Sequence, residues 1–241
     1  MGQGYENGGV RITVLTGAGI SAESGVPTFR DAGGLWEGHR VEDVATPEGF
    51  RRDPGLVQRF YDARRAGVAS AVPNAAHLAL ARLEADLGDD LLVVTQNIDD
   101  LHERAGSTRV VHMHGRLGTA LCRACGARSV VEPSRALADD DTCPECWVAA
   151  LRPDVVWFGE VPYDLDLIDD ALAATDRFVA IGTSGAVYPA AGFVLTAAGR
   201  GAATLELNLV ESEVSLLFDE VRHGLASMLV PAWVDEVLSA G

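Results

Sequence analysis

The chain is predicted to be an α/β protein with a parallel sheet and one small zinc-binding insert. Three observations predict this class. Apolar, β-branched runs alternate with segments of helical spacing, as in parallel sheets joined by right-handed crossovers. The first of these runs ends in glycines, and two cysteine pairs interrupt the alternation after residue 115.

The first strand is predicted at residues 12–16, directly before a glycine-rich loop. Residues 17–22, GAGISA, fit the looser form of the dinucleotide fingerprint, in which glycines let the backbone approach a pyrophosphate. Gly25 and Pro27 prevent a long helix after the loop, and no strand ending in a ribose-binding acid follows at the usual distance. We therefore expect a dinucleotide site that serves a reaction other than hydride transfer.

Composition limits the possible functions. A chain of 241 residues with 48% hydrophobic content can bury one core, or a large domain with a small insert. No apolar stretch is long enough to span a bilayer, and the polar start MGQGYENGG does not resemble a signal peptide. A cytoplasmic protein is expected. The net charge of −16 argues against general binding of nucleic acid or anionic membranes.

Two helices are predicted before the second strand. Pro54 begins a helix at about residues 55–69, where Tyr61 and Arg64 share one face. Their spacing alone favours an ordinary half-buried aromatic residue beside a solvated arginine. The next helix is capped by Asn74 and ends at Gly88.

The second strand, residues 91–94, is followed by Gln96, Asn97 and Asp99. Ligands of open α/β sheets bind beyond the carboxyl ends of the strands, so these side chains could hold ribose hydroxyls or a carboxamide. A helix cap formed by Asn97 or Asp99 explains the same residues equally well.

The third strand, residues 109–113, leads directly into His114 and a glycine. His112 and His114 lie on the same face, and either could be a core histidine bonded to the backbone. His114 is the stronger candidate for a general base, because it stands at the end of the strand.

The four cysteines form the pattern Cys122-x2-Cys125, seventeen residues, Cys143-x2-Cys146. Paired CxxC knuckles at this separation are typical of a tetrahedral four-cysteine zinc site. Since all four thiolates serve as ligands, no position remains for a catalytic water. We expect one structural Zn²⁺ per chain.

After the cysteines the α/β pattern returns. A strand at 154–158 is assigned to the parallel sheet and ends at Gly159. The small residues 182–185, which include Thr183 and Ser184, follow another strand and suit a second phosphate or ribose contact. The remaining predicted elements are a helix at 166–174, a strand at 177–181, a helix within 187–201, a strand at 203–208 ending at Asn208, and a terminal helix at 226–238.

Eight motifs occur here in the order found in sirtuins, the NAD-dependent protein-lysine deacylases. These motifs are GAGIS, PTFRD, TQNIDDLH, HMHG, the paired CxxC, RPDVVWFGE, GTSGAVYPAA and LELN. The resemblance spans residues 11–238, and residues 35–65 are similar to bacterial sirtuins of the CobB type. It implies a Rossmann-like large domain and a small lobe made of a zinc ribbon and helices. The implied parts are a Rossmann-like domain at 1–36, 71–115 and 151–241, a helical module at 37–70, and a zinc ribbon at 116–150.

The resemblance also implies roles for individual residues. His114 takes the place of the catalytic base. An acyl-lysine segment includes Val156, Phe158 and Gly159, and a Tyr-x-x-Arg pair, Tyr61 and Arg64, would bind the carboxylate of succinyl or malonyl groups. The residues implied to contact the co-substrate NAD are Gly17, Ala18, Gly19, Ser21, Phe29, Arg30, Gln96, Asn97, Asp99, Thr183, Ser184 and Asn208.

The implied activity is the NAD-dependent removal of acetyl and succinyl or malonyl groups from protein lysines. The products would be nicotinamide, O-acyl-ADP-ribose and free lysine. The first alternative is NAD-dependent protein mono-ADP-ribosyl transfer. The second is a zinc-ribbon binding module, which leaves the glycine loop and the QNID segment unexplained, and the acidic charge opposes a nucleic-acid partner. We expect a monomer whose partners are acylated lysine side chains of proteins, with no membrane or nucleic acid.

Overall fold

The computed structural model describes residues 9–28, 35–138 and 140–240. Its strands are β1 (Ile12–Thr16), β2 (Leu35–Trp36), β3 (His39–Arg40), β4 (Leu91–Thr95), β5 (Val110–His112), β6 (Gly115–Cys122), β7 (Arg128–Val130), β8 (Leu151–Val155), β9 (Arg177–Ile181), β10 (Ala203–Asn208) and β11 (Glu220–His223). Its α-helices are α1 (Val41–Val44), α2 (Pro47–Arg52), α3 (Pro54–Ser70), α4 (Ala75–Leu87), α5 (Leu101–Ala105), α6 (Leu165–Ala174), α7 (Phe193–Gly199) and α8 (Ala226–Ala240).

A six-stranded parallel sheet forms the large part of the fold, in the order β11-β10-β9-β1-β4-β5. Thr16, the last residue of β1, is in register with Thr95 and Ile181, the last residues of the two neighbouring strands. The loops after β1, β4 and β9 therefore leave the sheet side by side at its carboxyl edge. This arrangement confirms the predicted α/β class.

Helices cover both faces of the sheet because its strands are apolar on both faces. Ile12 and Val14 of β1 pack in one core cluster with α4 and α8, whereas Leu15 belongs to a second cluster with α6 and α7. Helix α4 begins and ends as predicted, with the Asn74 side chain accepting from the Ala76 N–H at 2.9 Å and Gly88 following its last turn.

The small part of the fold contains a three-stranded antiparallel sheet, β7-β6-β8, with α3 packed against it. Its core holds Val57, Tyr61, Leu117 and Trp157. The predicted strand at 154–158 was wrong in place and partner. Strand β8 covers Leu151–Val155 and pairs antiparallel with β6, outside the parallel sheet. The domain boundaries drawn from the sequence stay predictions.

The edge strand β11 pairs parallel with β10 and was not predicted. Its sequence, EVRH, contains one apolar residue and gives no periodic signal. Among the described helices, none is long and apolar enough to cross a membrane.

Candidate functional site

Two glycine loops meet at the carboxyl edge of the sheet. The N–H of Gly17 donates to the Ile181 carbonyl at 3.0 Å, and the N–H of Gly19 donates to the Gly182 carbonyl at 2.9 Å. A Cβ on Gly17 would lie 2.7 Å from the Gly182 oxygen, and one on Gly19 would lie 2.7 Å from the Gly182 Cα. Only glycine fits there, because both obstacles are backbone atoms. As expected, short 3₁₀ turns follow Gly17 in place of a long helix.

The hydroxyl of Ser21 has all its hydrogen-bonding capacity used inside the protein. It donates to Asp99 Oδ2 at 3.1 Å, accepts from Asn97 Nδ2 at 3.2 Å, and lies 3.4 Å from His77 Nε2. His77 Nδ1 accepts the Asn74 N–H at 3.3 Å, so the ring proton resides on Nε2 and points to Ser21. The side chains that follow β1 and β4 are thereby fixed in one network.

Asp99 has both of the roles that the sequence left open. Its Oδ1 accepts the Leu101 N–H at 3.1 Å at the start of α5, while Oδ2 accepts from Ser21. Burial raises the pKa of its carboxyl, and these two hydrogen bonds oppose the shift. Asp99 therefore caps α5 and also belongs to the polar network behind Ser21.

His112 and His114 have different surroundings. His112 is fully engaged, with Nδ1 3.1 Å from the Asn97 carbonyl and Nε2 2.8 Å from Glu103. His114 Nδ1 donates to the Gln96 carbonyl at 3.1 Å, and that tautomer leaves the lone pair on Nε2. Burial lowers the pKa of His114, and the bond to Gln96 partly offsets the shift. A neutral imidazole held in this way can accept a proton.

The loops after β9 and β10 complete this side of the site. Asn208 Nδ2 donates to the Thr183 carbonyl at 2.7 Å, and Ser184 Oγ accepts the Ala186 N–H at 3.2 Å. We call the surface formed by residues 17–21, 96–99, 182–184 and Asn208 the sheet-side wall.

The opposite side of the site is mainly aromatic and charged. Trp157 Nε1 donates to the Tyr61 oxygen at 3.1 Å, and its backbone N–H donates to Glu160 at 2.9 Å. Arg152 holds Glu160 with two bonds of 2.7 and 2.8 Å and lies 4.0 Å from the Trp157 ring centre. We call the surface formed by Trp36, Tyr61, Arg64 and residues 155–160 the aromatic wall.

Tyr61 and Arg64 are both buried, contrary to the solvated arginine that spacing alone favoured. Tyr61 has no exposed surface, and its burial strongly raises the pKa of the phenol. The guanidinium of Arg64 lies 4.4 Å from the Trp36 ring centre and forms an ion pair of 3.0 Å with Glu37. The two side chains belong to the protein interior.

Both walls line one cavity of about 480 Å³. Every described residue that the sequence assigned to NAD, acyl-lysine or proton transfer lies along it; Phe29 and Arg30 fall outside the described residues. These lining residues are Gly17, Ala18, Gly19, Ser21, Tyr61, Arg64, Gln96, Asn97, Asp99, His114, Val156, Phe158, Gly159, Thr183, Ser184 and Asn208.

The four cysteines lie together, apart from this cavity. The sulfur atoms of Cys122 and Cys146 are 3.7 Å apart, as are those of Cys125 and Cys143, and all four ligand atoms lie within 4.8 Å of one another. A tetrahedral zinc with Zn–S bonds of about 2.3 Å separates its sulfurs by about 3.8 Å. The cysteines are therefore placed to bind a zinc ion.

Comparison with known proteins gives one consistent result. The family model described as the Sir2 family matches residues 17–189. This chain belongs to the Sir2 family. The "NAD-dependent protein deacylase" of Yersinia pestis is 57% identical to it over 95% of this chain and 82% of that protein. The "NAD-dependent protein deacylase SIR2rp3" of Leishmania major is 56% identical over 94% and 95%.

Solved Sir2 structures agree in fold. A Sir2 homologue–NAD complex superposes with a TM-score of 0.87 at 40% identity, over 95% of this chain and 90% of that one. An ADP-ribose complex of a Sir2 homologue mutant gives 0.88 at 40% identity, over 95% and 92%.

Sequence reasoning missed several lining residues of this Sir2 chain. Trp36 and Trp157 lie on the aromatic wall, and residues 209–212 line the cavity beyond β10. Trp157 stands between Val156 and Phe158, which were assigned to the acyl-lysine segment, but it received no role of its own. Trp36 stands in the stretch 35–65, which was compared with relatives only as a whole. Residues 209–212, LVES, carry no motif, and only the fold brings that loop to the cavity.

Proposed function

We propose that this chain is an NAD-dependent protein-lysine deacylase that removes acetyl and succinyl or malonyl groups. The observation that carries the proposal is that one cavity joins the glycine loops, the polar strand ends, His114 and residues 156–159. The reaction consumes acyl-lysine, NAD and water, and it yields lysine, nicotinamide and O-acyl-ADP-ribose. The names of the Yersinia pestis and Leishmania major relatives support the same activity.

The sheet-side wall fits NAD. Because Gly17 and Gly19 carry no Cβ, the loop after β1 packs directly on the Gly182 backbone, and glycine backbone at this edge of the sheet can approach a pyrophosphate closely. Asn97 and Asp99 would bind the nicotinamide and its ribose, while Thr183 and Ser184 would contact the phosphates or the adenosine ribose. Gln96, Ala18 and Ser21 complete this assignment, with Asn208 on the adenine side and Phe29 and Arg30 predicted to join it. Bound NAD supplies the ribose carbon that receives the acyl oxygen when nicotinamide leaves.

His114 would act as the general base that removes a proton from a ribose hydroxyl. Its Nδ1–H bond to Gln96 fixes the ring and leaves Nε2 as the acceptor. The lowered pKa keeps the imidazole neutral at physiological pH, because burial disfavours the charged ring.

Residues 156–159 would hold the acyl-lysine peptide. The Val156 N–H donates to the His114 carbonyl at 2.9 Å, and the Phe158 N–H donates to the Ala45 carbonyl at 3.0 Å. These bonds tie the segment to the base and to the small lobe. The segment would thus place the lysine chain beside His114.

Tyr61 and Arg64 would recognise the carboxylate of a succinyl or malonyl group. The raised pKa keeps the Tyr61 phenol protonated, so it can donate a hydrogen bond. Arg64 offers a buried guanidinium, whose planar donors match a carboxylate. Acetyl groups would use the same cavity without this contact.

The deciding experiment is mass spectrometry of one lysine peptide, in acetyl and succinyl forms, with and without NAD. We expect NAD-dependent acyl loss together with O-acyl-ADP-ribose. His114→Ala should slow the loss by about 10²- to 10⁴-fold while NAD still raises the melting temperature. If ADP-ribose were instead attached to protein while both acyl groups survived, mono-ADP-ribosyl transfer would replace deacylation.

A second experiment tests the acyl class. Arg64→Met should reduce kcat/KM for succinyl-lysine by about 100-fold, since a charged hydrogen-bonded pair is lost, and should change deacetylation far less. Arg59→Met is the matched control, because Arg59 lies on the same helix and is exposed. Equal losses for both acyl groups would contradict the assignment.

We also propose a cytoplasmic monomer acting on acylated lysines of proteins. The ligand atoms of the four cysteines lie within 4.8 Å of one another, and clustered cysteines in an intracellular protein are more typical of zinc binding than of disulfides. Gel filtration of the zinc-loaded protein measures the oligomeric state.

A further inference from the structure

Glu37 occupies an unusual position beside Arg64 of the aromatic wall. It stands at the turn between β2 and β3 with a φ of 49°, and Gly38 follows with a φ of 80°. The left-handed conformation disfavours a residue such as glutamate, which carries a Cβ. Its side chain is 32% exposed, and its carboxylate lies 3.0 Å from Nη1 of Arg64.

Arg64 needs a counter-charge because it is enclosed. Its side chain is 6% exposed, and its guanidinium lies 4.4 Å from the ring centre of Trp36 and 5.9 Å from that of Phe60. Neither its Nε nor its Nη1 makes a hydrogen bond with a described residue, so the contact of Nη1 with Glu37 is an ion pair without hydrogen-bond geometry. A buried guanidinium without a carboxylate carries a large desolvation cost. Within the described chain, Glu37 supplies the ion pair that offsets this cost.

Arg64 contacts Glu37 and also borders the cavity. Arg64 lines the cavity, whereas Glu37 is absent from the described residues that line it. An acyl carboxylate in the cavity would therefore not need the space of Glu37. It would share the same positive charge, and the two carboxylates would repel each other across one guanidinium.

We propose that Glu37 sets the acyl preference of this site by neutralising Arg64. The inference rests on the proposed deacylase function. The Glu37 carboxylate balances the charge of Arg64, so an acetyl group does not face an unpaired cation on the aromatic wall. A succinyl group binds there, but more weakly than it would to Arg64 alone. One pocket can thus accept both neutral and carboxylated acyl groups.

Glu37→Gln tests the proposal, because glutamine keeps the length and one acceptor oxygen and removes the charge. We expect the ratio of kcat/KM for succinyl-lysine to kcat/KM for acetyl-lysine to rise about tenfold, mainly through a lower KM for the succinyl peptide. Glu37→Asp, which withdraws the charge by one methylene, should raise the ratio about two- to threefold. This second variant tests the same charge if Glu37→Gln fails to fold.

Glu42→Gln is the matched control. Glu42 lies shortly after the same hairpin, is 68% exposed and pairs with Arg40, so it removes an equal charge without touching Arg64. In an Arg64→Met background, Glu37→Gln should leave the ratio unchanged, because the shared cation is gone. A ratio that falls, or that matches the Glu42→Gln value, would overturn the proposal.

The outcomes separate this inference from the proposed function. If the wild type removes acyl groups with NAD and Glu37→Gln does not shift the ratio, only the role of Glu37 is wrong. If the wild type removes acetyl alone and Glu37→Gln adds desuccinylation, the role of Glu37 is supported. If neither peptide loses its acyl group with NAD, the deacylase proposal is overturned, and the role of Glu37 with it.

Discussion

The two walls of the cavity differ in chemical composition. The sheet-side wall consists of backbone packed on backbone and short polar side chains, and it contains no cation among the described residues. The aromatic wall holds Arg64, which is paired with Glu37, and Arg152 packs behind it, paired with Glu160. The first wall gains its shape from main-chain contacts that no side chain can replace. The second wall gains its shape from side chains, so substitutions there can change selectivity while the fold persists.

Buried histidines behind the sheet-side wall extend this contrast. Burial lowers the pKa of His77 to about 4 and that of His102 to about 3. His102 Nε2 lies 3.0 Å from Thr16 Oγ1, which in turn donates to Thr95 at 2.8 Å. Neutral rings thus support this wall, whereas ion pairs support the other.

Zinc removal should have the largest effect, and it should affect the aromatic wall while leaving the sheet-side wall able to bind NAD. Structural zinc contributes about 10 to 16 kcal/mol in small zinc domains, and β6 and β8 connect the cysteines to the aromatic wall. Chelation should abolish deacylation, while NAD should still raise the melting temperature, because the six-stranded sheet contains no cysteine. Activity should return when zinc is restored. Full deacylation in metal-free protein would contradict this coupling.

Gly19→Ala tests the backbone origin of the sheet-side wall. The new Cβ would lie 2.7 Å from the Gly182 Cα, so the free energy of unfolding should fall by about 3 kcal/mol. NAD binding should weaken as the loops separate. Urea unfolding measures the first effect, and NAD titration measures the second.

Gly67→Ala is the control for that substitution. Gly67 lies inside α3, and an added Cβ meets no atom within 4 Å. It should stabilise the protein by about 0.5 to 1 kcal/mol, because alanine favours the helix. If Gly19→Ala and Gly67→Ala had similar free energies of unfolding, main-chain contacts would not be what fixes the sheet-side wall.

Mild acid should weaken the support of the sheet-side wall. The folded pKa of His77, about 4, lies below the usual value of 6.5, so the unfolded chain takes up the proton first as the pH falls. The stability from neutral His77 is therefore complete above pH 6.5 and declines towards pH 4. The loss is on the order of 3 kcal/mol.

Thermal unfolding between pH 4 and 7 measures this decline. Protonation of Nδ1 would also remove the acceptor of the Asn74 N–H at the start of α4. His77→Gln should flatten the dependence of the melting temperature on pH in that window. Part of the dependence should remain, because burial lowers the pKa of His102 as well. An unchanged slope would show that His77 does not cause the acid sensitivity.

The sequence predicted those features whose signals are local. Ile12–Thr16 is a strand because β-branched residues precede a glycine, and α4 begins at Asn74 because its side chain caps the first turn. The cysteine spacing predicted the zinc ligands, because four thiolates at that separation suit one tetrahedral ion. Strand β8 was placed in the wrong sheet, because an apolar run indicates a strand without naming its partner.

The sequence by itself predicted which residues would carry chemistry and determined where the chain turns, since glycine loops, caps and cysteine pairs act over a few residues. The tertiary structure decided which of them share surroundings. His112 and His114 look alike in sequence, yet Glu103 engages the outer nitrogen of His112. Spacing placed Tyr61 beside Arg64, but the packing of remote segments buries them, and the turn between β2 and β3 brings Glu37 to the guanidinium. Burial and charge pairing depend on contacts between remote segments, and no local pattern specifies those contacts.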